Sequence, residues 1–113
     1  MGRDSMHGNI QKILDELIHR VVSRFHPQKI ILFGSHAKGI SNPDSDLDLL
    51  IVMEVEGSVR QKANEIDRLM ADRAIPMDFV VLTPSQYERQ KHRIGTIVGQ
   101  ADKEGKVLYE PAS

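Results

Sequence analysis

The sequence predicts a single α/β or α+β domain in which helices cover a small sheet. Apolar residues fall at helical spacing and in short strand-like runs by turns along the chain, an alternation that helices packed on a sheet produce. The strand-like runs are apolar on both faces, as central strands are. A length of 113 residues leaves room for one modest core.

Ile10, Ile13, Leu14, Leu17, Ile18, Val21, Val22 and Phe25 recur three and four apart, predicting an amphipathic helix over 10–25 with Asn9 as its cap and Pro27 beyond its end. Residues 1–8 are expected to be a disordered end or a vector remnant, the domain to run over 9–110, and 111–113 to form a tail. Lys29-Ile30-Ile31-Leu32-Phe33 suits a buried strand that stops at Gly34. After a loop containing Asn42-Pro43-Asp44, residues 46–54 predict a central strand whose acids are confined to its start.

Gly57 breaks the chain, and Ser58 and Gln61 stand at capping-box spacing ahead of a helix with Val59, Ala63, Ile66, Leu69 and Met70 on one side. That helix is expected to end near Arg73. Met77 to Leu82 predicts a third strand. Thr83-Pro84-Ser85-Gln86 then combines a cap, a proline at the first helical position and a reciprocal cap. The helix that follows is expected to break at Gly95. Ile94, Ile97, Val98 and Ala101 continue an apolar stripe to a stop at Gly105, and Val107-Leu108-Tyr109 reads as a final short strand.

Composition narrows the function. Apolar residues at 40% and charged residues at 27% are ordinary for a globular chain. With 15 basic against 16 acidic residues there is no bulk positive field, so a nucleic-acid partner is unsupported. The absence of cysteine removes disulfides and thiolate metal sites. The longest apolar runs, Ile30 to Phe33 and Leu49 to Met53, are too short to cross a bilayer, and the first residues have no signal-like stretch. A cytoplasmic protein with no membrane partner is expected.

Chemistry concentrates in Gly34-Ser35, ten intervening residues, and Asp46-Leu47-Asp48, with a third acid at Asp78 on a later strand. A glycine lets a phosphate approach the backbone and a serine offers its hydroxyl and amide. Residues two apart on a strand share a face roughly 6.5 to 7 Å apart, so Asp46 and Asp48 project together and suit a pair of magnesium ions about 3.5 to 4 Å apart. Asp78 in an apolar strand is costly unless paired or holding a metal, and it is a candidate third ligand and a base for an attacking hydroxyl. Lys38 can neutralise a triphosphate as a point charge, and His36 is a candidate substrate contact.

Blander alternatives accompany each feature. Asp44, Ser45 and Asp46 could simply cap backbone amides in a turn, and Asp78 could pair with Arg73. A calcium loop starting at Asp44 fails because Leu49 and Val55 stand where glycine and glutamate are needed. The phosphate loop of nucleoside triphosphatases fails because Ile40 follows Gly39. The histidines His7, His19, His26 and His92 lack zinc-ligand spacing. Arg89, Lys91, His92 and Arg93 form a basic cluster that suits a solvated helix face or an acidic partner. The four-position combination of Gly, Ser and two Asp arises by chance in about 1 in 1,000 chains of this length.

On Gly34, Ser35, Asp46, Asp48 and Asp78, and on the frames Ile31-Leu32-Phe33-Gly34-Ser35 and Pro43-Asp44-Ser45-Asp46-Leu47-Asp48-Leu49-Leu50, the chain resembles the minimal nucleotidyltransferases of the DNA polymerase β superfamily. The resemblance implies a small mixed sheet flanked by helices, like the polymerase β palm. It implies that Gly34, Ser35 and Lys38 bind NTP phosphates, that Asp46, Asp48 and Asp78 hold two Mg²⁺ ions, and that Asp78 activates the acceptor. ATP is the expected donor and NMP transfer with release of pyrophosphate the expected reaction. Many relatives carry arginines where this chain has His36 and Lys38. Short relatives commonly act as antitoxins that adenylylate a tyrosine of a HEPN-type helical partner, which is the preferred expectation, in a complex or a homo-oligomer. An antibiotic-modifying enzyme and a non-catalytic NTP-binding module are the alternatives.

Overall fold

The computed structural model describes the backbone of residues 2–34, 46–72, 75–93 and 96–111, with side chains from residue 10 onward. Its elements are helix α1 (Gly2–Phe25), strands β1 (Lys29–Phe33) and β2 (Leu47–Val52), helix α2 (Val59–Leu69), strand β3 (Met77–Leu82), helices α3 (Pro84–Gln90) and α4 (Ile97–Glu104), and strand β4 (Lys106–Tyr109). The four strands form one mixed sheet in the order β3-β2-β1-β4. β2 runs parallel to β3 and antiparallel to β1, and β4 is antiparallel to β1. The mixed sheet flanked by helices is the expected fold class.

Period-two alternation divides the sheet into two faces. Ile30, Leu32, Leu47, Leu49 and Ile51 meet Leu14, Leu17 and Val21 of α1 and Ile66 of α2. Ile31, Leu50, Val52 and Leu82 meet Tyr87 of α3 and Val98 and Ala101 of α4. Beyond Asp48 both faces of β2 are therefore dry, which is why residues 49–52 read as a continuous apolar run. Leu17, Leu49 and Ile66 are fully buried, so truncation of any one to alanine costs about 2–5 kcal/mol.

Two N-caps fall where the sequence places them, at Ser58 and Thr83, and a third, Thr96, is one the sequence reading did not single out. Ser58 Oγ accepts from the Gln61 amide at 3.2 Å. Thr83 and Gln86 exchange both bonds of a capping box, with Pro84 in the first turn. Thr96 Oγ1 accepts from Gly99 at 3.0 Å and opens α4. His26 takes a left-handed φ of 51° and ends α1 one residue before Pro27.

Four expectations change. α1 begins at Gly2 rather than after an Asn9 cap, so the backbone of residues 2–8 continues the helix; lengthening an existing helix costs no new nucleation. α2 stops at Leu69, with Met70 as its cap, and not near Arg73. The central strand is shorter than 46–54. Ile97, expected on the apolar stripe, is 57% exposed, because α4 starts there with a fresh phase set by the Thr96 cap.

Long polar contacts tie the layers together. Arg20 on α1 donates to both carboxylate oxygens of Asp72 at 2.7 and 3.1 Å and to the Leu69 carbonyl at 3.2 Å, anchoring the end of α2. The Tyr87 hydroxyl donates to Asp102 at 2.7 Å and locks α3 to α4. Among the described residues, no helix is long and apolar enough to cross a membrane.

Candidate active site

β1 ends in a turn that only glycine makes cheaply. Gly34 has φ +76°, in the left-handed region. A Cβ built there would overlap Oδ2 of Asp48. The glycine thus lets the chain turn and at the same time leaves room for a carboxylate against the backbone.

Register aligns the acids. Phe33 of β1 pairs with Asp48 of β2, and Asp48 pairs with Asp78 of β3. The bond from the Leu47 amide to the Pro76 carbonyl, at 2.9 Å, holds the start of the parallel pair in this register. Neighbouring strands lie about 4.8 Å apart and register partners share a face. Phe33, Asp48 and Asp78 therefore form one row on the side of the sheet that carries α3 and α4. The next row inward is Ile31, Leu50 and Val80, which is apolar and packed.

Accessibility follows from position. Asp46, just before β2, and Asp78 are exposed, and Asp48 is half-buried. The row sits at the C-terminal end of β1 and the N-terminal ends of β2 and β3, a rim from which a ligand can approach. Asp78 has no ion-pair partner among the described residues, and Arg73, its bland alternative, lies outside them. Ser35, His36 and Lys38 also lie outside the described residues.

Among the described residues, no three His, Asp or Glu side chains converge closely enough to hold a metal ion as they stand. The available donors are carboxylate oxygens, the hard ligand set that Mg²⁺ prefers. The donor chemistry fits a magnesium site, with Asp46, Asp48 and Asp78 as the residues that would hold it.

Phe33, which the sequence placed at the end of a strand and to which it assigned no role, closes the row on the β1 side. The basic cluster lies elsewhere. Lys91 pairs with Glu88 at 3.0 Å and sits 5.6 Å from the centre of the Tyr87 ring, while Arg89, His92 and Arg93 are exposed. Lys91, His92, Arg93 and Lys103 line a cleft of about 260 Å³ beside α4.

Comparison with known proteins identifies the family and the fold. A family model described as a nucleotidyltransferase domain matches residues 12–104. A candidate protein adenylyltransferase of Methanocaldococcus jannaschii is 40% identical over 50 residues, 42% of this chain and 50% of that protein. The chain thus matches about half the length of that curated relative. A crystal structure of a candidate nucleotidyltransferase from Sulfolobus solfataricus superposes with a TM-score of 0.65 at 22% identity, over 94% of this chain and 87% of the other. A toxin–antitoxin structure with AMP-PNP superposes with a TM-score of 0.54 at 23% identity, over 92% of this chain and 73% of the other. The two structures share the fold. The family match spans the helix, the glycine turn and all three strands of the acidic row, and on that basis the chain belongs to the nucleotidyltransferase domain family.

Proposed function

We propose that this nucleotidyltransferase moves AMP from ATP onto a hydroxyl of a partner protein, a tyrosine of a HEPN-type helical toxin that the modification silences, and that it acts in the cytoplasm. The observation that carries the reading is the register of Asp48 with Asp78, set against the Gly34 turn. Two neighbours support the choice of acceptor: the Methanocaldococcus relative described as a protein adenylyltransferase, and the toxin–antitoxin structure that holds an ATP analogue.

In this reading Gly34, Ser35 and Lys38 receive the triphosphate at the turn after β1. Asp46, Asp48 and Asp78 are the residues that would hold Mg²⁺, which when bound would neutralise the charge that builds on the phosphoryl oxygens. The acceptor oxygen attacks the α-phosphorus in line. A new oxygen–phosphorus bond forms as the bond to pyrophosphate breaks, and the hydroxyl proton passes to Asp78. Asp78 suits that role because it is the exposed acid of the aligned pair. Most of the acceleration comes from positioning, so each carboxylate is expected to matter more to kcat than to folding.

The test is co-expression of the chain with its genomic neighbour, followed by intact-mass and peptide mapping of that neighbour. One or more AMP units on a tyrosine, lost in Asp78→Asn, is the expected result. An unmodified partner that is nonetheless neutralised by both forms of the chain would replace transfer with simple contact.

A further inference from the structure

The two edges of the sheet are built differently. β4 is four residues long, is interrupted by a bulge opposite Ile30 and Ile31, and carries Lys106, with the Lys29–Glu110 ion pair at 3.1 Å beyond its end. Those are the usual devices that keep an edge from pairing with a foreign strand. β3 has none of them. Its six residues, Met77 to Leu82, pair with β2 without a bulge and include no lysine and no proline. Its one charge is Asp78.

The backbone bonding of β3 shows which groups the bare edge presents. The Leu47 amide donates to the Pro76 carbonyl, and the Met53 amide to the Leu82 carbonyl, at 2.9 and 3.0 Å. In a parallel ladder, alternate residues face the neighbour, so the even positions Asp78, Val80 and Leu82 bond to β2. Met77, Phe79 and Val81 turn their amides and carbonyls outward. Among the described residues none of these outward groups has a hydrogen-bond partner.

We propose that β3 is the acceptor dock: an extended segment of the acceptor protein adds to the sheet alongside β3 and brings its hydroxyl residue into the row of Asp48 and Asp78. This rests on the nucleotidyl-transfer reading above and names how the acceptor is held. A strand added at the usual spacing of about 4.8 Å puts one of its residues in register with Asp78 and on the same face. That residue's hydroxyl then lies beside the exposed carboxylate, the oxygen attacks the α-phosphorus of the bound NTP, pyrophosphate leaves, and Asp78 takes the proton. A second copy of this chain is the poorer occupant. β3 contains no serine, threonine or tyrosine, so pairing two β3 strands would bring only apolar residues or another acid beside Asp78 and cover its open flank.

Main-chain recognition has a signature that side-chain recognition lacks. The probe is an eight-residue, threonine- and valine-rich peptide with a central tyrosine, offered with ATP and Mg²⁺, in three forms: unmodified, and N-methylated at one or the other alternating set of amides. Methylation of the set that faces β3 is expected to cut AMP transfer at least about tenfold, since each blocked amide loses a hydrogen bond. Methylation of the other set is expected to leave transfer unchanged. Which set matters reports whether the added strand is antiparallel or parallel.

Hydrogen exchange supplies a readout independent of catalysis. The amides of Met77, Phe79 and Val81 are expected to exchange quickly in the free chain and slow when the unmodified peptide is added, while Asp78, Val80 and Leu82 stay slow throughout. Tyramine at high concentration separates transfer from docking. If tyramine is adenylylated but both methylated peptides react like the parent, the dock is wrong and the transfer reading stands. Transfer to neither tyramine nor any peptide overturns both. Protection of the odd-numbered amides that rises with protein concentration alone identifies β3 as a self-pairing edge and overturns the dock.

Discussion

The Asp48 carboxylate fills the space in which any residue other than glycine at position 34 would carry its Cβ. Two demands meet at this point, a left-handed turn with φ +76° and an acid held against the backbone. Gly34→Ala is therefore expected to incur backbone strain of about 1–2 kcal/mol, lowering Tm by about 4–8 °C per kcal/mol. Displacement of Asp48 is expected to cut nucleotidyl transfer by far more than that strain implies. Equal ATP turnover in the variant and the parent would show that Asp48 can sit elsewhere without harm.

Asp48→Asn and Asp78→Asn keep volume and remove charge. Because Asp48 is half-buried and Asp78 exposed, neither change disturbs the packed rows behind them. Each is expected to lower kcat by roughly 10²- to 10⁴-fold, with circular dichroism and Tm close to the parent. Asp48→Asn should also weaken Mg²⁺-dependent ATP binding, read by nucleotide titration with and without the metal. Asp78→Asn should weaken it less if its main part is to take the acceptor proton.

The Arg20 guanidinium bonds Asp72 through both oxygens and holds its carboxyl below the usual carboxylate range. A depressed folded-state value means that the contribution is full above the unfolded pKa of about 3.9 and is lost as pH falls through the lower, folded value. Arg20→Ala is expected to lower Tm at pH 7. The gap between variant and parent should narrow as the solution is taken below pH about 4. Thermal melts across that window decide it, and a gap independent of pH would assign the loss to the Leu69 carbonyl bond instead.

Burial first, and then the bond to Asp102, push the Tyr87 hydroxyl well above the ordinary phenol range. With the folded value raised, its contribution is present below the unfolded pKa of about 10 and is lost as pH rises toward the folded value. Tyr87→Phe leaves Asp102 without its donor and is expected to cost about 1 kcal/mol near neutrality. The parent, but not the variant, should lose further stability above pH about 10 through this contact. Alkaline melts of the two proteins, compared point by point, make the measurement.

Much of this molecule could be read before its structure, for reasons that differ by element. β1 and β3 were bounded correctly because a dry central strand and its neighbours are short, apolar and ended by Gly34 or Thr83. The α3 start was legible because Thr83, Pro84 and Gln86 act within one turn, with no help from the rest of the fold. The start of α1 was not, since extension of a helix through polar residues depends on small propensity differences. Ile97 misled because helical spacing cannot show that a new cap resets the phase. At the candidate site, residue types and spacing singled out Gly34, Asp46, Asp48 and Asp78 as candidates. Their alignment was invisible: the register of β2 with β3 is set by long-range pairing, and that register alone puts Asp48 beside Asp78. The contrast between a guarded β4 edge and a β3 edge left unpaired among the described residues was hidden for the same reason.

Nucleotidyl transfer is proposed to take place at the row of Gly34, Asp48 and Asp78. The most direct test incubates the purified chain with α-phosphate-labelled ATP and Mg²⁺ in a lysate of its own host, beside Asp48→Asn and Asp78→Asn. Label on a protein band, dependent on Mg²⁺ and absent with either variant, is expected. Label that persists undiminished in both variants, or none on any protein or small acceptor from a chain that binds ATP and Mg²⁺, would contradict it.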